Sequence, residues 1–99
     1  MSEKLLRHVV LLQFKDETTE EQIAAVKQAF LAMPAQIAEI LQLEWGNAIN
    51  KDASYSHCLF VTVRNEADLQ AYEKHPAHKA VPEQFGHVFA GATVVNYWT

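Results

Sequence analysis

The sequence predicts an α+β fold in which strands and helices follow one another as β-α-β-β-α-β. Three observations carry this expectation. Two runs, residues 6–14 and 55–63, are apolar on both alternating faces, as in strands covered on both sides. Two segments, about residues 19–33 and 66–74, repeat apolar side chains at helical spacing behind a residue able to cap them. A length of 99 residues fits one domain, read as spanning residues 1–99, and leaves little room for a second.

In the first strand Leu6, Val10, Leu12 and Phe14 share one parity with His8, and Val9 and Leu11 lie on the other. Thr18 and Glu21 stand at capping-box spacing, so a helix is expected to follow. Its stripe is Ile23, Val26, Phe30 and Met33, with Glu20, Lys27 and Gln28 elsewhere. Pro34 breaks the pattern and is expected to open a short second turn through Leu41, packed by Ile37, Ile40 and Leu41. Leu43 and Trp45 alternate with polar neighbours in a short strand, about 42–48, and 47–54 reads as a polar loop. The third strand puts Tyr55, Leu59, Val61 and Val63 on the parity of His57, against Cys58 and Phe60. Asn65 can cap a helix over 66–74 that buries Leu69 and Tyr72, and Pro76 is expected to stop or kink it. A less regular helical piece, roughly 80–89, carries Val81, Phe85, Val88 and Phe89; Gly91 ends it, and 92–98 is the last strand.

This order is the split βαβ pattern of ferredoxin-like folds. It implies a four-stranded antiparallel sheet with the helices on one face and the first and third strands adjacent at its centre. The strands are apolar toward the other face as well, which therefore needs a cover, and a second copy of the chain is the natural one. Val10 and Leu59, on the histidine parity, are taken to face that partner, unless that parity packs on the helices instead.

Composition narrows the function. Eight Lys and Arg against twelve Asp and Glu give a net charge of −4, which argues against nucleic acid and anionic membranes as partners. The one cysteine permits no intrachain disulfide and suits a cytoplasmic protein. The apolar run 9–12 is too short for a signal segment or a membrane span. No glycine-rich phosphate loop and no nucleophile elbow is present, and no cofactor is called for.

Five histidines in so short a chain hold most of the functional argument. His8 and His57 lie on the two central strands, at similar distances from their starts and on the parity of the large apolar residues. They suit either a pair of bases in a small-molecule pocket or two satisfied core histidines. Tyr72-Glu73-Lys74-His75-Pro76-Ala77-His78 is the densest titratable group. A phenol near an imidazole makes an acid–base couple, whereas the bland alternative is a helix end with Lys74 and His75 at its dipole. His75, His78 and His87 lack the pattern of a metal site, so no metal is expected. Cys58, between apolar neighbours, reads as a small buried hydrophobe.

The opening His8-Val9-Val10-Leu11-Leu12-Gln13-Phe14-Lys15, the strand over 55–63, and Leu69-Gln70-Ala71-Tyr72 leading into His75-Pro76-Ala77-His78 resemble the stress-responsive dimeric α/β-barrel (Dabb) family. The resemblance spans nearly the whole chain. It implies a homodimer in which two ferredoxin-like subunits set their sheets face to face around a barrel. Most members have no established reaction, and one is a cyclase that closes a linear polyketide by an intramolecular aldol condensation. The resemblance to that cyclase at His8, His57, Tyr72 and His78 implies His78 as catalytic base, Tyr72 as donor to the substrate oxygen, and His8, His57 and Phe30 as pocket residues. Phe30 stands where that cyclase has a tyrosine, and the helix after His78 differs. Together these lead to an expected small homodimer that binds a small apolar molecule, with proton abstraction beside a carbonyl as its chemistry. A non-catalytic stress-response or assembly protein is the alternative. An open pocket beside Tyr72 and His78 would favour the first, and a cavity filled by side chains the second.

Overall fold

The computed structural model describes residues 4–99. Among them four strands form one antiparallel sheet: β1 (Leu6–Phe14), β2 (Gln42–Asn47), β3 (His57–Val63) and β4 (Phe89–Trp98), in the spatial order β2-β3-β1-β4. Three helices, α1 (Glu20–Leu31), α2 (Glu66–Lys74) and α3 (Pro76–Phe85), pack on one face. Neighbours in the sheet are consistently antiparallel, and β1 and β3 lie at its centre as the element order requires. No helix of the described residues is long and apolar enough to cross a membrane.

Register settles which parity faces the helices. Leu6, His8, Leu12 and Phe14 of β1 and Leu59, Val61 and Val63 of β3 are buried against Val26, Phe30, Met33, Ile37, Leu69, Tyr72, Val81 and Val88. Val10 packs on this core and Leu59 is 1% exposed, so neither faces a partner; the expectation that they do is corrected. The histidine parity meets the helices, and the open face carries the other set: Arg7, Val9 and Leu11 of β1, Cys58 and Phe60 of β3, Val95 and Tyr97 of β4. Arg7 lies over the Phe60 ring there and its Nη1 donates to Thr62 Oγ1 at 2.8 Å.

Several element ends differ from the sequence reading, each for a local reason. The capping box of α1 is Thr19 with Gln22, not Thr18 with Glu21. Thr18 is engaged elsewhere: its amide donates to the Lys15 carbonyl and its hydroxyl to that of Val88. The helix ends at Leu31 and a 3₁₀ turn, Met33–Ala35, follows around Pro34. Ile37 and Ile40 pack beneath it as expected, whereas Leu41 is exposed. Pro76 ends α2 as expected, by holding His75 extended, and also starts α3, because a proline at the first helical position gives up a donor that would be unsatisfied anyway. The helical piece placed at 80–89 therefore begins four residues earlier and closes in a 3₁₀ turn, Gly86–Val88. Gly91 does not end it but lies inside β4, opposite Gln13, beside a register shift that lets Phe89 pair with Phe14.

Candidate active site

The site is built at the junction of α2 and α3. Asn65 Oδ1 caps α2 by accepting from the Asp68 amide at 2.8 Å, and Tyr72 leaves the last turn pointing into the core, wholly buried. The residue before a proline is driven out of the helical region, and His75 is accordingly extended (φ −64°, ψ 139°). It ends α2 and caps α3 at once, its Nδ1 accepting from the Ala77 amide at 3.0 Å. That turn brings His78, in the first turn of α3, back over Tyr72. The two rings meet edge to face with centroids 4.7 Å apart and planes at 63°.

His8 enters from the sheet below. Its ring is edge-on to Tyr72 at 5.6 Å, and its Nδ1 lies 2.7 Å from Oδ1 of Asn96, its direct partner on β4. Asn96, His8, Tyr72 and His78 thus form a continuous stack. Tyr72 is its unusual member: among the described residues nothing hydrogen-bonds its buried hydroxyl. An unsatisfied buried hydroxyl costs about 1–3 kcal/mol.

Burial sets the protonation of the pair. Tyr72 has its pKa raised by desolvation, and then by the charge of Glu73, so it stays a phenol and a donor. His78 is pushed below the usual imidazole range by burial and next by the nearby His8, against the weaker opposing pull of the Glu73 carboxylate and main chain. It is therefore a neutral base at pH 7. His78 stands in the wall of an open, largely apolar cavity of about 310 Å³, with Leu12, Phe30, Val81, Pro82, Phe89 and Ala92 among its other walls. Tyr72 lies in the buried layer behind that wall.

Of the five residues singled out from the sequence, His8, Tyr72 and His78 come together, and Phe30 joins His78 in the cavity wall. His57 does not join them. Its ring touches Phe14 at 5.1 Å and Trp45 at 5.4 Å, its Nδ1 is 2.7 Å from Ser56 Oγ, and burial lowers its pKa. It lines two surface grooves, one with Glu20, Lys27, Trp45 and Asn47, the other with Tyr55 and Cys58. Shared parity puts His8 and His57 on one face, but antiparallel pairing reverses direction. Similar distances from two strand starts are then opposite ends of the pair: His57 stands across from Leu12, and His8 across from Val61. Four residues along β1 separate the two levels, about 13 Å. Asn96 was not legible as a site residue, because only the β1–β4 register brings it beside His8. Phe89 is not legible as a wall residue because its sequence context places it in the preceding helical piece, whereas it opens β4. No group of three or more His, Cys, Asp or Glu among the described residues is placed to hold a metal ion.

The model of the stress responsive A/B barrel domain (Dabb) family matches residues 6–99. This chain belongs to the Dabb family. It is 31% identical to olivetolic acid cyclase of Cannabis sativa over 87 residues, covering 85% of this chain and 82% of the cyclase. Among solved structures, a dimeric ferredoxin-like protein of unknown function from Bacteroides fragilis is 26% identical with a TM-score of 0.83, covering 96% of each chain. Hydroxynitrile lyase from Passiflora edulis shares the fold at 18% identity and a TM-score of 0.87, covering 96% of this Dabb chain and 93% of the lyase.

Proposed function

We propose that this Dabb chain is a one-domain homodimeric subunit that holds a small, mostly apolar carbonyl compound in the cavity beside His78 and catalyses proton abstraction next to that carbonyl. One observation carries the reading: a neutral imidazole in the wall of an open apolar cavity touches a buried phenol that has no other partner. His78 takes the proton from carbon, the electron pair moves onto the carbonyl oxygen, and the Tyr72 hydroxyl donates to that oxygen. Attack of the resulting enolate on a second carbonyl of the same molecule is an aldol-type ring closure, and His78 then returns its proton. Similarity to olivetolic acid cyclase supports the ring-closing form of the reaction. Phe30, Leu12 and Val81 supply apolar wall, and His57, in its separate grooves, has no part in this step. Pairing through the open face is supported by its apolar residues and by the dimeric description of the Bacteroides fragilis structure.

The full burial of Tyr72 favours a second reading, a non-catalytic stress-response or assembly protein in which the stack only packs. The two separate on a screen of β-keto acids and short polyketide mimics. Binding is followed by native mass spectrometry and turnover by product formation. A ligand whose turnover collapses in His78→Ala supports catalysis. No binding by any of them, or a His78→Ala variant as active as the parent, overturns it.

A further inference from the structure

His8 is 4% exposed and stands on a central strand. Among the described residues its one side-chain hydrogen bond is to Asn96, and the two residues are directly paired across β1 and β4 on the helix-facing side. A neutral imidazole has one N–H and one bare nitrogen, and its neighbours decide which is which. The Asn96 amide oxygen can only accept, so a ring bonded to it carries its proton on Nδ1. Nε2 is then bare. As the ring nitrogen farther from Cβ, it lies on the helix side of the sheet, where the Tyr72 and His8 rings meet with their centroids 5.6 Å apart.

We propose that Asn96 is a positioning residue that acts through His8, fixing its Nδ1–H tautomer so that a bare Nε2 is presented as an acceptor on the side of the Tyr72 ring. This rests on the reading of Tyr72 and His78 as the reacting pair, and it adds a third polar element to their site. Tyr72 supplies a donor, His78 a base, and His8 an acceptor for a hydroxyl of the bound molecule. The location of Asn96 fits a support more than a reactant. It is an exposed residue on the edge strand and borders a separate groove of about 290 Å³ with Glu66, Gln70, Glu73 and Trp98. It reaches the buried stack only through the His8 ring.

The tautomer can be read without any substrate, which keeps this proposal separable from the catalytic one. Protein labelled with ¹⁵N-histidine is examined at about pH 8, above the imidazole range, by long-range ¹⁵N–¹H correlation. The parent is expected to show His8 as a single tautomer with Nδ1 protonated. Asn96→Asp, which keeps an acceptor, should preserve it, and Asn96→Ala should lose it in favour of Nε2–H or a mixture. The signals of His57, remote from the change, report that each variant is folded. Nε2–H in the parent overturns the proposal even if no variant folds. A parent tautomer that persists unchanged in Asn96→Ala overturns it too. If the tautomer behaves as expected and no substrate is ever turned over, the catalytic reading fails while Asn96 still fixes His8.

Discussion

Tyr72 sets stability against chemistry within a single side chain. Its hydroxyl is buried and unpaired, so removing it should relieve a desolvation cost at little loss of packing. Tyr72→Phe is expected to raise the stability of the ligand-free protein by about 1 kcal/mol, or about 4–8 °C in Tm for a domain of this size. The same change should lower turnover more than it weakens ligand binding, since it deletes a hydrogen bond made to the reacting oxygen. Thermal denaturation decides the first part: a clear loss of stability would mean that the hydroxyl is well bonded. His78→Ala should cut turnover by about 10²–10⁴-fold, the usual worth of a positioned base. Because burial lowers the pKa of His78, the rate should climb with pH and level off below the ordinary imidazole value of about 6.5. Folding stability follows the same sign. Between the lowered folded pKa and the unfolded one the unfolded chain binds more protons. The contribution is therefore complete above the unfolded value and is lost as pH falls through the folded one. His57, also lowered, acts in that direction more weakly, being partly exposed. A rate that increases on acidification would exclude His78 as the base.

The junction of α2 and α3 shows how an element end can place a reacting group. His75 closes one helix and caps the next, and only through that turn does His78 return to Tyr72. His75→Ala removes the cap and should cost about 0.5–2 kcal/mol in chemical denaturation, while His75→Ser should recover most of it. If His75→Ala is as stable as the parent, the cap contributes nothing and His78 is held by packing alone. This junction also shows what the sequence makes legible. The bounds of α2 follow from its apolar spacing and from Asn65, both local signals, and they agree with the structure. The start of α3 does not, because Pro76 serves equally as a stop for one helix and a first residue for another. Two adjacent threonines offer themselves as the cap of α1, and only their other hydrogen bonds distinguish them. Strand parity correctly put His8 and His57 on one face, but their positions along the sheet depend on the direction of a non-local pairing that no residue pattern states. The family resemblance is what pairs Tyr72 with His78; Asn96, 88 residues from His8, is marked by no such signal.

For the whole molecule, the two faces of the sheet should respond differently to the same insult. Leu59 faces the helices and Phe60, its neighbour, faces outward. Leu59→Asp buries an unpaired charge and should leave no folded protein by circular dichroism. Phe60→Asp should leave the fold intact and give a monomer by sedimentation. A Phe60→Asp protein that sediments with the same mass as the parent would overturn pairing through this face. The outermost strand adds a consequence of its own. β4 is ten residues long, holds neither a charged residue nor a proline, and leaves Val94, Val95, Tyr97 and Trp98 about half uncovered. Among the described residues no strand lies beside its outer main-chain groups. Natural proteins commonly guard such a border with lysine, proline or a short length, and β4 has none of these guards. A lone subunit is thus a template for the growth of intermolecular sheets. Covering that border is then a matter of proteostasis, and on the proposed pairing the risk is greatest for chains that have folded but not yet met a second copy.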